Sequence, residues 1–449
     1  MGHQGFGWLP DEAANGLPAG SASTSLDVGR LRYRHHVRDT DLYQHLLGLI
    51  APWKVSRLEL DVKGQRVDVY AEHSKPKTWD CPECGTACGL HDHDDERTWR
   101  HLDSCNFQTI LHARVPRVNC PTHGVRQARV PWAEPRSRFT SLFERFAIDV
   151  LRETNVAGAA NILGLSWDEA QHIMERAVAR GVQRRPHEVP RVMGVDEKAL
   201  AKGQRYATLA YDLEAGHVIG IAEGRSGDSL VACLGRFSLN DLAGVEAVAM
   251  DMSAAYVQRV RAIVADADQK IVFDRFHIAA HMNKAVDQVR RGENKVLRLD
   301  GDERLVGSQH MWRYAAENLP AKYEDDFAAL RASGLKTARA WALKESLREL
   351  WGQRSRAAGE RWWAAWYSWA VRSRLPPVKK VAAMMKRHLP NILTYFTHRI
   401  TNAGSEAINS VIQMLKKRAF GYRSFPNFKT AVLFHCGGLS LYPSHLKAG

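Results

Sequence analysis

The alternation of apolar and polar residues changes its period along the chain, and each change predicts a different kind of element. Residues 55–71 alternate around Lys63-Gly64, which predicts a β-hairpin. The segment FQTILHARVPRV also alternates and is rich in β-branched residues, so it predicts a strand. Helical spacing begins at 139–153 and continues as two shorter helices between 155 and 178.

The two shorter helices have the spacing of a helix-turn-helix, with the turn at Gly164. Ser166 and Glu169 form a capping box at the start of the second helix. An ordinary helical hairpin is the alternative interpretation. As a DNA-binding motif, the second helix would direct outward to a DNA groove the side chains of Trp167, Gln171, His172 and Arg176.

A β/α region follows, in which apolar strands end in acids. Such strands are predicted at 191–196, 245–251 and 270–274, and a hairpin is predicted at 206–212 and 217–223. Helices are predicted near 228–238 and at AAYVQRVRAIV, between these strands. The resulting order, β-β-β-α-β-α-β, is that of an RNase H-like core. Residues 278–398 are predicted to be mostly helical, and helix resumes at 404–418.

Two of these strand-end acids, Asp196 and Asp251, are candidates for chemistry because the carboxyl ends of such strands form the crevice where α/β sheets bind ligands. Glu406 is the only acid between 371 and 449, and a divalent metal would balance its charge there. Three carboxylates holding two Mg²⁺ or Mn²⁺ ions suit phosphoryl transfer. Asp274 is the main rival, and Glu197 is expected to point to the opposite side of its strand from Asp196. A turn or capping role is the alternative for any single strand-end Asp.

Cysteine and histidine spacing predicts a structural zinc site. CPECG at 81–85 and CPTHG at 120–124 each hold two soft ligands two residues apart, followed by a Gly that allows a tight turn. The four ligands expected for one Zn²⁺ are Cys81, Cys84, Cys120 and His123. Cys88 could replace one of them. The charged stretch HDHDDER between the knuckles is expected to be a solvated segment.

The composition of the chain indicates a polyanionic partner. The 449 residues include 63 Lys+Arg and 49 Asp+Glu, a net charge of +14, which favours nucleic acid as the partner. Residues 371–449 hold 13 Lys+Arg and one acid, so most of the surplus surrounds Glu406. No apolar run reaches the roughly 18 residues of a membrane span, and no signal peptide is recognised at the N-terminus, so a cytoplasmic location is expected.

Several motifs together resemble the DDE transposases of the ISL-three type of bacterial insertion sequence. The resemblance covers roughly residues 40–446, is most specific at 373–439, and includes the CPxC…CPxH ribbon. The other motifs that carry it are GVDEKALAKG, AVAMDMSAAY, KIVFDRFHIAAHM and the run from SRLPPVKK to FHCGGL. The resemblance implies that Asp196, Asp251 and Glu406 are the catalytic acids. This chain has Ala407 where relatives often have Gly.

The resemblance also implies a division of the chain and a mechanism. The expected division is a flexible extension (1–40), a zinc-ribbon domain (41–135), a helix-turn-helix (136–185), an RNase H-like core in two parts (190–285 and 399–449) and a helical insertion (286–398). The chain would bind terminal inverted repeats of double-stranded DNA, cleave at the end and transfer the strand, as a homodimer or higher oligomer on DNA.

The basic C-terminal stretch is expected to hold the DNA backbone through Lys416, Lys417, Arg418 and Arg423. A solvated helix face is the alternative interpretation of this run. The alternative functions are a non-catalytic DNA-binding regulator derived from a transposase, and an RNase H-like nuclease without strand transfer.

Overall fold

The computed structural model of the chain describes residues 38–74, 76, 78–200, 205–400 and 403–443. The extension expected at 1–40 therefore lies almost entirely outside the described residues. None of the described helices is long and apolar enough to cross a membrane.

The N-terminal region is built on an antiparallel and parallel sheet of order β1-β2-β6-β5, with β7 added to β6 and a separate β3-β4 hairpin. Its elements are α1 (Asp39–Leu46), β1 (Trp53–Asp61), β2 (Arg66–His73), β3 (Trp79–Asp80), β4 (Ala87–Cys88), β5 (Leu90–Arg100), β6 (Gln108–Cys120) and β7 (Gly124–Gln127). The predicted hairpin and the predicted strand at FQTILHARVPRV are confirmed. The core beneath this sheet contains the indoles of Trp53, Trp99 and Trp132.

The charged segment HDHDDER is accessible to solvent, as expected, and it is also a strand. Its residues are exposed or half-buried and form most of β5, which pairs with β6. Charges across the two strands match, because Arg117 contacts Asp92 and His112 Nδ1 lies 2.9 Å from Glu96 Oε1. Opposite charges on facing strands stabilise a sheet whose sequence has no apolar face at that point.

The helix-turn-helix prediction is confirmed by α2 (Ser141–Glu153), α3 (Val156–Leu163) and α4 (Trp167–Arg184). Gly164 ends α3 in the left-handed conformation with φ 63°, which only glycine adopts at low cost. The capping box is present as well: Glu169 N–H donates to Ser166 Oγ at 3.2 Å, and Ser166 N–H donates to Glu169 Oε2 at 2.9 Å.

The central sheet has the order β10-β9-β8-β11-β12. Strands β10, β9 and β8 are antiparallel neighbours, whereas β11 runs parallel to both β8 and β12. This region consists of β8 (Val192–Ala199), β9 (Tyr206–Asp212), β10 (His217–Glu223), α5 (Gly227–Leu234), α6 (Leu239–Ala243), β11 (Ala247–Met250), α7 (Ala254–Ile263), α8 (Ala267–Lys270) and β12 (Ile271–Phe273). Every strand predicted here is present, and the short helices α6 and α8 were not predicted.

The remaining helices cover both faces of the central sheet. They are α9 (Arg275–Leu299), α10 (Glu324–Ala332), α11 (Lys336–Arg348), α12 (Arg356–Arg372), α13 (Pro376–Leu393), α14 (Tyr395–His398), α15 (Ala403–Arg418) and α16 (Phe425–Cys436). Helices α9–α13 share one continuous core with a sheet face that includes Met193 and Val195. Helices α15 and α16 pack with α2–α4 against the other face, which includes Leu209 and Tyr211. The boundary expected between 285 and 286 falls inside α9, so that helix joins the sheet to the helical layer.

Candidate active site, metal centre and DNA-binding region

Asp196 occupies the face of β8 that is turned toward α15. Because side chains alternate along a strand, Met193 and Val195 enter the core beside α9 while Asp196 points the other way. Asn409 of α15 donates from Nδ2 to Asp196 Oδ2 at 2.6 Å. The second carboxylate oxygen, Oδ1, accepts the backbone N–H of Glu197 at 2.7 Å. Both oxygens of Asp196 therefore have donors that favour its ionised form.

Asn409 is itself held by a buried partner. Its Oδ1 accepts a hydrogen bond from the hydroxyl of Tyr211 at 2.9 Å, and the side chains of Asn409 and Tyr211 are 7 % and 0 % exposed. A chain of hydrogen bonds thus runs from β9 through α15 to Asp196. Burial raises the pKa of Asp196 above its usual value, while the donors at Glu197 and Asn409 oppose that rise. A cation bound at this carboxylate would favour the ionised form that burial opposes.

Asp251 directly follows β11, the parallel neighbour of β8. The last pair in register between these two strands is Ala249 with Gly194, two positions before Asp251 and Asp196 respectively. Asp251 Oδ1 accepts the N–H of Ser253 at 3.0 Å, which fixes the turn before α7. Asp196 does not end its strand, as the sequence predicted it would, because β8 continues to Ala199 in pairing with β9.

Glu197 also belongs to this region, although the sequence interpretation set it aside. Burial is the main cause of its raised pKa, and the negative charge of Asp251 is the next, ahead of that of Asp196. Strand alternation turns Glu197 to the opposite side of β8 from Asp196, and the negative charge of Asp251 is close enough to raise its pKa. It is therefore a rival ligand for any ion that Asp251 holds.

Glu406 lies in the first turn of α15 and is exposed. Ile408, Ile412 and Leu415 anchor this helix in the core. Residues three apart share one side of a helix, so Glu406 projects from the same side as Asn409, which contacts Asp196. Helix α15 therefore links two of the three predicted acids, Glu406 and Asp196.

Glu406 and Asp274 line the same cavity of about 400 Å³, together with Phe276, Arg348 and Trp351. Because Phe273 pairs with Met250 on β11, Asp274 lies level with Asp251. Asp274 Oδ1 accepts the N–H of Phe276 at 3.0 Å and so caps α9. A capping role accounts for one oxygen of this rival acid.

The three predicted acids do not converge on one point. In the described part of the chain, one group of three or more metal-ligating side chains has its ligand atoms within 4.8 Å of one another, and that group contains neither Asp196, Asp251 nor Glu406.

The group that does converge consists of the four ligands predicted for zinc, Cys81, Cys84, Cys120 and His123. The Sγ atoms of Cys84 and Cys120 lie 3.7 Å apart, and His123 Nδ1 lies 3.6 Å from Cys120 Sγ. A tetrahedral ion with Zn–S bonds near 2.3 Å requires sulfur–sulfur edges of about 3.8 Å. The residues therefore fit a tetrahedral Zn²⁺ with no ligand position left open for chemistry.

Local backbone and electrostatics support the same site. Gly85 and Gly124, which follow the two knuckles, have φ values of 72° and 67°, so both tight turns need glycine. Hydrogen bonds from His123, its backbone N–H first, lower the pKa of Cys120 to about 6. Cys88 lies in the adjacent apolar cluster, and its thiol donates to a backbone carbonyl at 3.2 Å, outside the ligand group.

Of the α4 side chains expected to face DNA, some are exposed and others are held within the protein. Trp167 is 45 % exposed and His172 is exposed, as predicted. The outward orientation predicted for Gln171 is wrong, because it is only 5 % exposed and donates to Glu175 at 2.9 Å. Arg176 does not extend outward either, since its guanidinium donates to the buried Glu144 at 2.7 Å.

The C-terminal basic residues likewise include some that are bonded within the fold and others that are exposed. Lys416 Nζ donates to the backbone carbonyl of Ala199, and burial lowers its pKa. Arg418 donates to the backbone carbonyl of Glu153 and so ties α15 to α2. These two side chains cross-link the fold instead of facing a ligand. Lys417 and Arg423 are exposed.

Comparison with known proteins finds three matching family models along this chain. Residues 77–123 match the "zinc-finger of transposase IS204/IS1001/IS1096/IS1165", and residues 128–178 match the "Helix-turn-helix domain of transposase family ISL3". Residues 193–432, more than half of the chain, match the ISL3 model described as "Transposase". The chain belongs to the ISL3 family of DDE transposases. This transposase is accordingly a DNA-cleaving and strand-transfer enzyme with DNA-binding and zinc-ribbon domains.

Curated relatives carry the same description over most of this transposase. It is 27 % identical over 364 residues to the transposase for insertion sequence element IS1001 of Bordetella parapertussis, covering 80 % of this chain and 89 % of the relative. It is also 27 % identical over 430 residues to the transposase for insertion sequence element IS1557 of Mycobacterium tuberculosis, covering 86 % and 93 %. These comparisons favour a transposase over the regulator and the nuclease considered above.

Sequence interpretation missed two site residues of this transposase for different reasons. Asn409 follows Glu406 by three residues, so its position on the same helix side was available, but its bond to Asp196 depends on how α15 packs. Glu197 was expected to point to the opposite side of its strand, because strand alternation does not reveal that the turn after β11 brings Asp251 within electrostatic reach of it.

Proposed function

We propose that Asp196, Asp251 and Glu406 are the catalytic acids with which this transposase cleaves and joins DNA at transposon ends. The observation that supports this proposal most is that Asp196 lies on β8 while Asp251 directly follows β11, the parallel neighbour of β8. The helix that carries Glu406 is joined to Asp196 by the 2.6 Å hydrogen bond from Asn409.

The core that carries these acids is proposed to be RNase H-like. Its sheet order, β10-β9-β8-β11-β12, has three antiparallel strands followed by two parallel ones, with helices on both faces. The catalytic acids then come from the central strand β8, its parallel neighbour β11 and a helix that packs across the sheet. The division of the chain given above is proposed with it, with α9 shared between the core and the helical insertion.

The donor set suits magnesium or manganese. Three carboxylates offer hard oxygen ligands at an edge open to solvent, which is the donor chemistry these ions prefer. Two bound ions would activate the attacking oxygen and stabilise the leaving oxygen during phosphoryl transfer. The residues of the chain hold this arrangement: Asn409 fixes one oxygen of Asp196, and the turn before α7 fixes Asp251.

Recognition and assembly complete the proposal. The helix-turn-helix and ribbon bind the terminal inverted repeat, with Trp167 of α4 at the DNA surface and zinc in a structural role. Lys417, at the opposite end of α15 from Glu406, and Arg423, in the loop after that helix, are exposed and contact the flanking phosphate backbone. Water attacks the phosphodiester at the transposon end, and the freed 3′-hydroxyl then attacks target DNA. Two ends are paired by a homodimer or higher oligomer.

The test is cleavage and joining of a duplex containing the DNA that flanks the gene, with Mg²⁺ or Mn²⁺. Asp196→Asn, Asp251→Asn and Glu406→Gln are expected to abolish both reactions while DNA binding remains. Glu246→Gln is the matched control, because this exposed acid stands just before the opposite end of β11. Activity in Asp196→Asn combined with inactivity in Glu197→Gln would transfer the catalytic role to Glu197 and contradict the proposal.

A further inference from the structure

A groove separates the zinc-ribbon sheet from the helix-turn-helix. It has a volume of about 850 Å³ and is lined by β5, β6, the loop before α2 and the turn between α3 and α4. Its basic side chains are Arg97, Arg100, Arg136 and Arg138. We call it the arginine groove.

The two acids that line the arginine groove are already bonded within the protein. Glu96 contacts His112 at 2.9 Å, and Glu169 accepts two hydrogen bonds from Ser166 in the capping box. Four arginines against two committed carboxylates leave a net positive lining. This sign of charge suits a polyanion.

The four arginines differ in how their guanidinium groups are used. Arg97 donates to Gln127 at 2.8 Å, and Arg100 forms an ion pair with Asp103. Arg136 and Arg138 are exposed, and within the described residues neither guanidinium has a hydrogen-bond or ion-pair partner. The unpaired cations of the groove are therefore the two that flank Ser137.

The loop that presents them is anchored from beneath. Ser137 is fully buried between the two arginines, and its hydroxyl lies 2.7 Å from Glu144 Oε1. Glu144 is 1 % exposed and also accepts hydrogen bonds from Arg176 at 2.7 Å and Arg180 at 2.9 Å. The two arginines of α4 thus neutralise the buried acid that anchors the loop, which explains why Arg176 does not face outward.

Arg136 has a backbone conformation that the loop imposes. Its φ is 62°, in the left-handed region that residues other than glycine adopt at a cost. Such strained residues concentrate at binding sites, because the surrounding structure holds them in place. An anchored loop also loses little freedom on binding, so its arginines are preorganised.

We propose that the arginine groove binds the phosphate backbone of duplex DNA at the transposon end, with Arg136 and Arg138 as its phosphate contacts. Arginine suits this role because its planar guanidinium donates two hydrogen bonds to one phosphate. The inference rests on the proposed end-binding function and adds to it the surface that grips the duplex. The neighbouring turn at Gly164 and the exposed Trp167 lie beside the groove, on the helix-turn-helix.

The test measures the affinity of the full chain for fluorescein-labelled duplexes over a range of salt concentrations. One duplex carries the DNA flanking the gene and the other an unrelated sequence. In Arg136→Gly/Arg138→Ala, the slope of log affinity against log salt is expected to become shallower by about 2, since each lost phosphate contact changes it by roughly 0.9. Affinity should fall equally for both duplexes, because phosphate contacts carry no sequence information.

Controls separate charge from folding. Glycine at 136 suits the positive φ, so this variant should unfold at the same temperature as the wild type or higher. Arg57→Ala/Arg191→Ala removes the same charge from two arginines already paired with acids and should retain the wild-type slope. Arg136→Lys/Arg138→Lys should restore most of the slope.

An unchanged slope in the folded Arg136→Gly/Arg138→Ala variant would overturn the groove assignment. An equal loss of slope in the Arg57→Ala/Arg191→Ala control would overturn it too, because net charge alone would then explain the effect. The end-binding function fails separately, if the wild type does not prefer the flanking duplex over the unrelated one.

Discussion

Replacing Asn409 with leucine tests whether this amide positions Asp196 for chemistry. Leucine preserves the volume but removes the 2.6 Å bond to Asp196 and the 2.9 Å bond from Tyr211. A buried hydrogen bond to a charged group contributes about 1.5–3 kcal/mol and a neutral one about 0.5–1.5 kcal/mol. Because Tyr211 would remain buried and Asp196 half-buried without this acceptor and donor, we expect Asn409→Leu to reduce the free energy of unfolding by about 2–4 kcal/mol.

The same substitution should also change the pKa of Asp196 in a definite direction. The Asn409 donor favours the ionised carboxylate, so its removal raises the pKa of Asp196, which burial already raises. The acidic limb of the pH–rate profile for DNA cleavage should therefore move to higher pH, and more Mg²⁺ should be needed for half-maximal rate. Tyr211→Phe is the control, because it leaves the bond to Asp196 intact and should cost stability of only about 1 kcal/mol. Identical pH profiles for Asn409→Leu and the wild type would refute the positioning role.

Three further predictions concern other parts of the chain. Burial lowers the pKa of His101 to about 4 from its usual 6.5, so the neutral form is favoured in the folded state. The contribution of neutral His101 to the free energy of unfolding is fully present above pH 6.5. It should decrease by up to ~3 kcal/mol as the pH falls toward 4, measured by urea unfolding, and His101→Gln should flatten that dependence. Cys120→Ala should lose bound zinc by mass spectrometry while Cys88→Ala retains it, and equal retention would contradict the ligand set. Gly220→Ala should lower the free energy of unfolding by about 1–3 kcal/mol, since its Cβ would lie 2.0 Å from a backbone carbonyl of α5. Gly292→Ala, with open space in α9, should be neutral or stabilising in the same unfolding assay.

Local patterns were sufficient for the elements whose stabilising contacts are close in sequence. The capping box at Ser166, the left-handed turn at Gly164 and the two Cys-Pro knuckles each depend on residues within a few positions of one another. The strands of the central sheet were also predictable, because they are buried on both faces and appear as continuous apolar runs.

Features that depend on distant partners were not predictable in the same way. Strand β5 is stabilised by charges on β6 that lie more than 15 positions away, so its own sequence resembles a solvated loop. Gln171 is a different case: it precedes Met174 and Val178 by three and seven positions on α4, and both are buried. That helical spacing, applied to every residue of α4, would have assigned Gln171 to the buried face.

Anomalous diffraction from crystals of the DNA-bound transposase grown with Mn²⁺ would locate the catalytic metal ions directly. We predict manganese density in contact with the carboxylates of Asp196, Asp251 and Glu406, with Asn409 still bonded to Asp196. Manganese bound by Glu197 and Asp251, with Asp196 and Glu406 free of metal, would contradict it.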